Sequence, residues 1–200
     1  MNESETEQNE RRDYFRIEDR LYLSYECITD EDYLKSPEIL SQSGESSFSL
    51  TASFATLNHE NNHLLSNIKR TTPEIAQYLA MLNQKIDSLG KHLLESSMEL
   101  SQNNLVDANI SASGIAFTAR KSLDKNQALR IKIVLMPEKI GILTYGRVIN
   151  CTQDNVQNGF IISLDFEHIL DNDRELLIKH NLNKQMIELR KRSTEQKKPD

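Results

Sequence analysis

The stretch from Ile75 to Leu100 most narrows what this chain can fold into. Ile75, Leu79, Leu82, Ile86, Leu89, Leu93, Ser96 and Leu100 follow a strict alternation of four and three residues. A hydrophobic repeat of 3.5 residues, sustained this long, marks a helix that packs along a seam as in a coiled coil. Leu50, Phe54, Leu57, Asn61, Leu64 and Ile68 carry the same spacing just before it. Between the two lies Thr71-Thr72-Pro73-Glu74, a helix start: Thr72 can cap, Pro73 suits the first helical position, and Glu74 suits the first turn. Gly90 lies off the stripe and costs about 1 kcal/mol of helix stability.

On either side the period changes to two. Leu21, Leu23, Tyr25 and Cys27 alternate with Tyr22, Ser24 and Glu26, which predicts a strand with one buried face over Phe15–Ile28. Strand patterns return at Leu105–Ile110, Gly114–Arg120, Leu129–Leu135, Ile142–Cys151 and Phe160–Phe166. Six short strands with one apolar face predict a closed or nearly closed antiparallel barrel. A last helix is expected from Asp171, with Asp173 and Glu175 early and Arg190-Lys191-Arg192 late. Leu177, Asn181, Lys184 and Glu188 share one face of it. The acidic, Ser-rich stretch 29–47 reads as a loop with at most a short helical turn, and residues 1–10 and 193–200 read as polar tails.

Composition removes several functions. Hydrophobic residues make up 38% of the 200 positions, enough for a lean core, and the net charge is −6. That balance opposes DNA, RNA or anionic membranes as partners, because those need a basic face. No run of 18 apolar residues spans a membrane, and the N-terminus lacks the apolar segment of a signal peptide. A cytoplasmic protein with reduced thiols is expected. Cys27 and Cys151 sit in strand patterns and are expected as small buried residues. His59 and His63 are four apart but have no third ligand, so no metal is expected. No P-loop, dinucleotide fingerprint or nucleophile elbow is present, and Ser111 and Ser113 have no activating base nearby in sequence. The chain does not read as an enzyme and implies no cofactor.

Two short motifs remain. Arg11-Arg12-Asp13-Tyr14-Phe15-Arg16 reads RRxxxR, just before the first strand. Asn109-Ile110-Ser111-Ala112-Ser113-Gly114 reads NxSxxG, between two strands. A guanidinium fork matches the O6 and N7 acceptors of guanine and pairs strongly with phosphate. Three such forks suit a compact anion of guanines and phosphates. Asn109 can donate and accept, Ser111 can bond through its hydroxyl, and Gly114 permits positive φ and close approach.

Together these motifs resemble the signature of the PilZ family of bacterial receptors for cyclic diguanylate. Gly146-Arg147-Val148, the closing strand to Phe166 and the C-terminal helix are similar too. The resemblance covers roughly 11–28 and 104–190. It implies a six-stranded barrel with a helix, and a ligand site made of Arg11, Arg12, Arg16, Asn109, Ser111 and Gly114. The family often has Asp where this chain has Asn109, and a short connection where it has 29–103. The implied layout is a barrel plus helix over 11–28 and 104–192, with 29–103 as a helical insertion. The insertion is expected to drive homo-oligomer formation through helices 50–100. Its seam would be Ile75, Leu79, Leu82, Ile86, Leu89, Leu93 and Leu100, as a parallel bundle between chains. The alternative is a hairpin within one chain that buries both stripes. The function expected is a receptor that signals to a downstream protein when its arginine segment orders on ligand. The alternative is a coiled-coil scaffold whose barrel no longer binds nucleotide.

Overall fold

The alternation of apolar and polar residues becomes a sheet that closes on itself. A computed structural model describes residues 14–42, 48–97, 104–154 and 158–195. Arg11, Arg12 and Leu100 lie outside the described residues. The six strands are β1 (Ile17–Cys27), β2 (Leu105–Ile110), β3 (Gly114–Ala119), β4 (Ala128–Leu135), β5 (Ile140–Asp154) and β6 (Gly159–Ile169). They form a closed barrel in the order β1-β2-β3-β6-β5-β4, every pair antiparallel. Closure leaves no exposed sheet edge to template pairing with another chain. Leu21, Ile110, Ile115, Leu129, Ile131, Ile133, Ile142 and Ile162 are fully buried inside it.

Strand β1 changes partner along its length. Residues Ile17 to Tyr22 pair with β2, and Tyr22 to Cys27 pair with β4. Past Tyr22 the strand has outrun β2, and burial fades. Cys27 is therefore exposed and Cys151 only half-buried, against the expectation of two buried thiols. The β5–β6 register shifts beside Gly146. A Cβ there would stand 1.9 Å from the Asp165 carbonyl oxygen, so the irregularity needs glycine.

Two further elements were not expected. Residues 29–42, read as a loop, form helices α1 (Asp30–Leu34) and α2 (Ser36–Gln42). Thr29 caps α1, accepting from the Asp32 amide at 3.1 Å. The anchor is Tyr33. Its hydroxyl donates to Glu167 at 2.5 Å, its ring stacks on His168 at 4.8 Å, and the Arg147 guanidinium lies 4.4 Å above it. Burial first, then the Glu167 carboxylate, hold that hydroxyl well above the ordinary tyrosine range.

Helices α3 (Leu50–Thr71) and α4 (Pro73–Ser97) meet at Thr72 and run antiparallel. Asn58 donates to both carboxylate oxygens of Asp87, at 2.9 and 3.0 Å. A Cβ on Gly90 would lie 2.9 Å from the Phe54 ring, so glycine lets the helices approach. The two helices pair within one chain. The hairpin weighed as the alternative forms but buries only part of the stripes: Phe54, Ile68, Leu79 and Leu82 are half-buried. Its seam runs through Ala76, Asp87, Gly90 and Leu94 on α4, roughly a quarter turn from Ile75, Ile86, Leu89 and Leu93. Those four stay 55, 45, 65 and 45% exposed. On α3, Leu57 and Leu64 are 51 and 59% exposed. Both stripes are displaced from the seam in the same rotational sense. In an antiparallel pair that puts them on the same side, as one apolar flank.

The hairpin base is fixed to the barrel. Thr51 accepts from the Gly141 amide at 2.9 Å, Lys139 pairs with Glu95, and Leu94 is fully buried. Helix α5 (Asp171–Glu195) lies against the barrel through Leu176 and Leu177, which join its core. It runs past the expected tail boundary at 193.

Candidate functional site

The register of β1 on β2 brings the two motifs together. Ile17 faces Ile110 and Glu18 faces Asn109. Arg16, just before β1, and Ser111, just after β2, therefore meet at one barrel rim. Arg16 is exposed there. Asn109 alternates outward between buried Ala108 and Ile110, and its amide donates to Glu18 at 2.6 Å.

The link from Ser111 to Gly114 is a tight turn held from inside. The Ser111 amide donates to the Gly114 carbonyl at 2.9 Å and its hydroxyl to the same oxygen at 3.3 Å. The Ser113 amide donates to the Ser111 hydroxyl at 3.3 Å. Ser111 is fully buried and shapes the turn. Half-buried Ser113 is the more open of the two hydroxyls. Gly114 departs from expectation in its reason. No described glycine has positive φ. Instead a Cβ on Gly114 would lie 2.4 Å from the Leu164 carbonyl oxygen, so close packing of β3 on β6 excludes any side chain.

Helix α5 buttresses this rim with residues the sequence reading missed. Asp19 lies on the inward face of β1, flanked by Ile17 and Leu21. Its carboxylate meets His180 Nε2 at 2.6 Å and Lys184 Nζ at 2.5 Å. Burial alone would raise this carboxyl, but the hydrogen bonds and charges of His180 and Lys184 outweigh it and hold it below the usual range. Arg174 donates to the Ala112 carbonyl, inside the second motif, at 2.8 Å. Burial pushes the Asp173 carboxyl, in the first turn of α5, up to about 7. A polar residue at an inward strand position was the signal available for Asp19. The i, i+4 spacing of His180 and Lys184 was the signal on α5.

Between the N-terminal segment, the Ser111–Gly114 turn and α5 lies a cavity of about 180 Å3, lined by Tyr14, Phe15, Ala112, Ile178, Asn181 and Leu182. A larger cleft of about 440 Å3 opens at the far end of the barrel and contains no motif residue. Among the described residues no three His, Cys, Asp or Glu side chains converge to hold a metal ion, and no helix is long and apolar enough to cross a membrane.

Residues 96–182 match the family model of the PilZ domain. A Xanthomonas campestris protein, described as a tetrameric PilZ domain self-assembled via an unusual helical bundle, aligns with 89% of this chain and 92% of its own. Its TM-score is 0.60 at 14% identity, so it shares the fold. The Bacillus subtilis inhibitor of motility (MotI/DgrA) aligns at 25% identity and TM-score 0.38 over 41% of this chain, which spans 42% of that protein's length. The PilZ domain of Escherichia coli YcgR, solved with c-di-GMP, aligns at 12% identity and TM-score 0.36 over 47% of this chain and 82% of that one. No curated protein sequence matches the chain.

Proposed function

We propose that this chain is a cytoplasmic receptor for cyclic diguanylate. In this reading Arg11, Arg12, Arg16, Asn109, Ser111 and Gly114 make the site, and the arginine segment orders over the rim when ligand arrives. The observation that carries it is the β1–β2 register, which seats Arg16 beside the Ser111–Gly114 turn. The PilZ domain supports the ligand class. Ordering the segment costs free energy and so lowers the observed affinity, while the ordered segment becomes the surface that a downstream protein can read. Calorimetric titration of the whole chain with cyclic diguanylate tests it; no heat at high micromolar ligand would sink the proposal.

Glu18 bears on the same site. Its carboxylate holds the Asn109 amide and stands beside an anionic ligand. Glu18→Gln is expected to tighten binding several-fold and to steepen its loss with salt, because the attraction of the arginines is then unopposed. Unchanged affinity would mean that the ligand does not come near Asn109.

The same reading includes self-association through the apolar flank of the hairpin. Large apolar patches on a protein surface mark interaction sites, and flank against flank makes a four-helix bundle. Light scattering is expected to give a dimer or larger. Ile86→Glu with Leu89→Glu should give a monomer with unchanged circular dichroism. A wild type that stays monomeric at every concentration would remove self-association from the proposal.

A scaffold whose barrel no longer binds nucleotide is the second reading. It is favoured by the same flank, by the buried hydroxyl of Ser111 and by the engagement of Asn109 with Glu18.

A further inference from the structure

Asn181 ties the two motifs together and is left with one unmet bond. Its Nδ2 donates at 3.4 Å to the Phe15 carbonyl and at 3.4 Å to the Ile110 carbonyl. Those carbonyls belong to the residues just before Arg16 and just before Ser111. Asn181 is 4% exposed, and among the described residues its Oδ1 is the only buried side-chain nitrogen or oxygen with no hydrogen-bond partner. A buried acceptor without a donor is costly, and native proteins seldom tolerate one without a reason. The amide orientation is not arbitrary. Turning it over would set its oxygen against two carbonyl oxygens. The unmet group is therefore an acceptor.

Asn181 is also part of the wall of the cavity beside the motifs, together with Phe15 and Tyr14. About 180 Å3 is less than the roughly 300–1,000 Å3 of a pocket for a whole drug-sized ligand, so it fits one portion of a larger molecule. Phe15 is 55% exposed and can offer its face to a flat base.

We infer that this cleft seats one base of the ligand against Phe15, and that Asn181 Oδ1 receives an N–H from the 2-amino group on the Watson–Crick edge of that base. This rests on the receptor reading of the rim. The 2-amino group belongs to guanine; adenine has no amino group at C2. An arginine fork on the Hoogsteen edge and Asn181 on the Watson–Crick edge would read the base from both sides. Asn181 then selects the base, while the arginines hold the anion.

The test is a cycle between protein and ligand, using cyclic diguanylate and cyclic di-inosinate, which lacks only the two 2-amino groups. Wild type should bind the inosinate about tenfold more weakly. Asn181→Leu should bind the diguanylate about tenfold more weakly than wild type does and should no longer distinguish the two ligands. Thermal melts confirm that the variant folds. Equal affinity of wild type for both ligands overturns the inference, as does an Asn181→Leu variant that discriminates like wild type. In either case binding to cyclic diguanylate persists and the receptor reading stands. If wild type binds neither ligand, both fall together.

Discussion

Arg16→Ala is expected to weaken cyclic diguanylate binding by ~10- to 100-fold while leaving the melting temperature within a degree of wild type. Arg16 is exposed and lies just before the first paired residue of β1, so the barrel does not depend on it. Its loss removes charge-assisted, bidentate hydrogen bonds to the ligand, worth about 1.5–3 kcal/mol. Arg16→Lys restores the charge but not the planar fork, so it should recover only part of the affinity. Calorimetry on the three proteins measures this. An alanine variant that binds like wild type would show that the rim beside the Ser111–Gly114 turn is not the site.

Asp19→Ala is expected to have the largest effect on stability. The Asp19 side chain is 2% exposed and that of His180 is 6% exposed. Removing the carboxylate leaves Lys184 without its partner and His180 with only Glu138, 4.0 Å from its Nδ1. Breaking such a buried pair costs about 3–5 kcal/mol, which for a chain of this size is a fall of roughly 10 °C in melting temperature. Because α5 leans on the rim through these residues, ligand affinity should fall as well. A change under one degree would mean that the contact adds nothing.

The pH dependence has a sign. The folded state holds Asp19 below its ordinary value. Its stabilisation is complete above the unfolded pKa of about 3.9 and is lost as pH falls through the folded value. Asp173 acts in the opposite direction. Burial raises it from 3.8 to about 7, so its protonated form favours the fold at low pH, and that contribution is lost as pH rises towards 7. From these two groups, melting temperature should therefore peak near pH 4 and fall as pH rises from there to about 7. Asp19→Ala should flatten the acid limb and Asp173→Asn the other.

The strands were legible because a barrel wall has one wet face and one dry face, and a period of two records that directly. The helices were legible because their stripes repeat every 3.5 residues. What the stripes pack against was not. Their apolar residues suggested a seam, whereas the seam is set by Gly90 and by the Asn58–Asp87 bond, which contribute little to a hydrophobic pattern. Helices α1 and α2 were missed for a related reason. Their stability comes from Tyr33 meeting Glu167 and His168, more than 130 residues away in the chain, and not from their own composition.

The candidate site divides in the same way. By itself the sequence determined which residues could recognise a guanine-bearing anion, since that is a matter of side-chain chemistry. It also determined that two strands flank them. The tertiary structure alone decided that Arg16 and Ser111 are neighbours, because register is a property of two strands together. It decided that Gly114 is required by the Leu164 carbonyl and not by its own backbone angles. It decided that Asn181 stands between the motifs with an acceptor unmet. Local chemistry is written residue by residue, whereas contact across many tens of residues exists only once the barrel has closed.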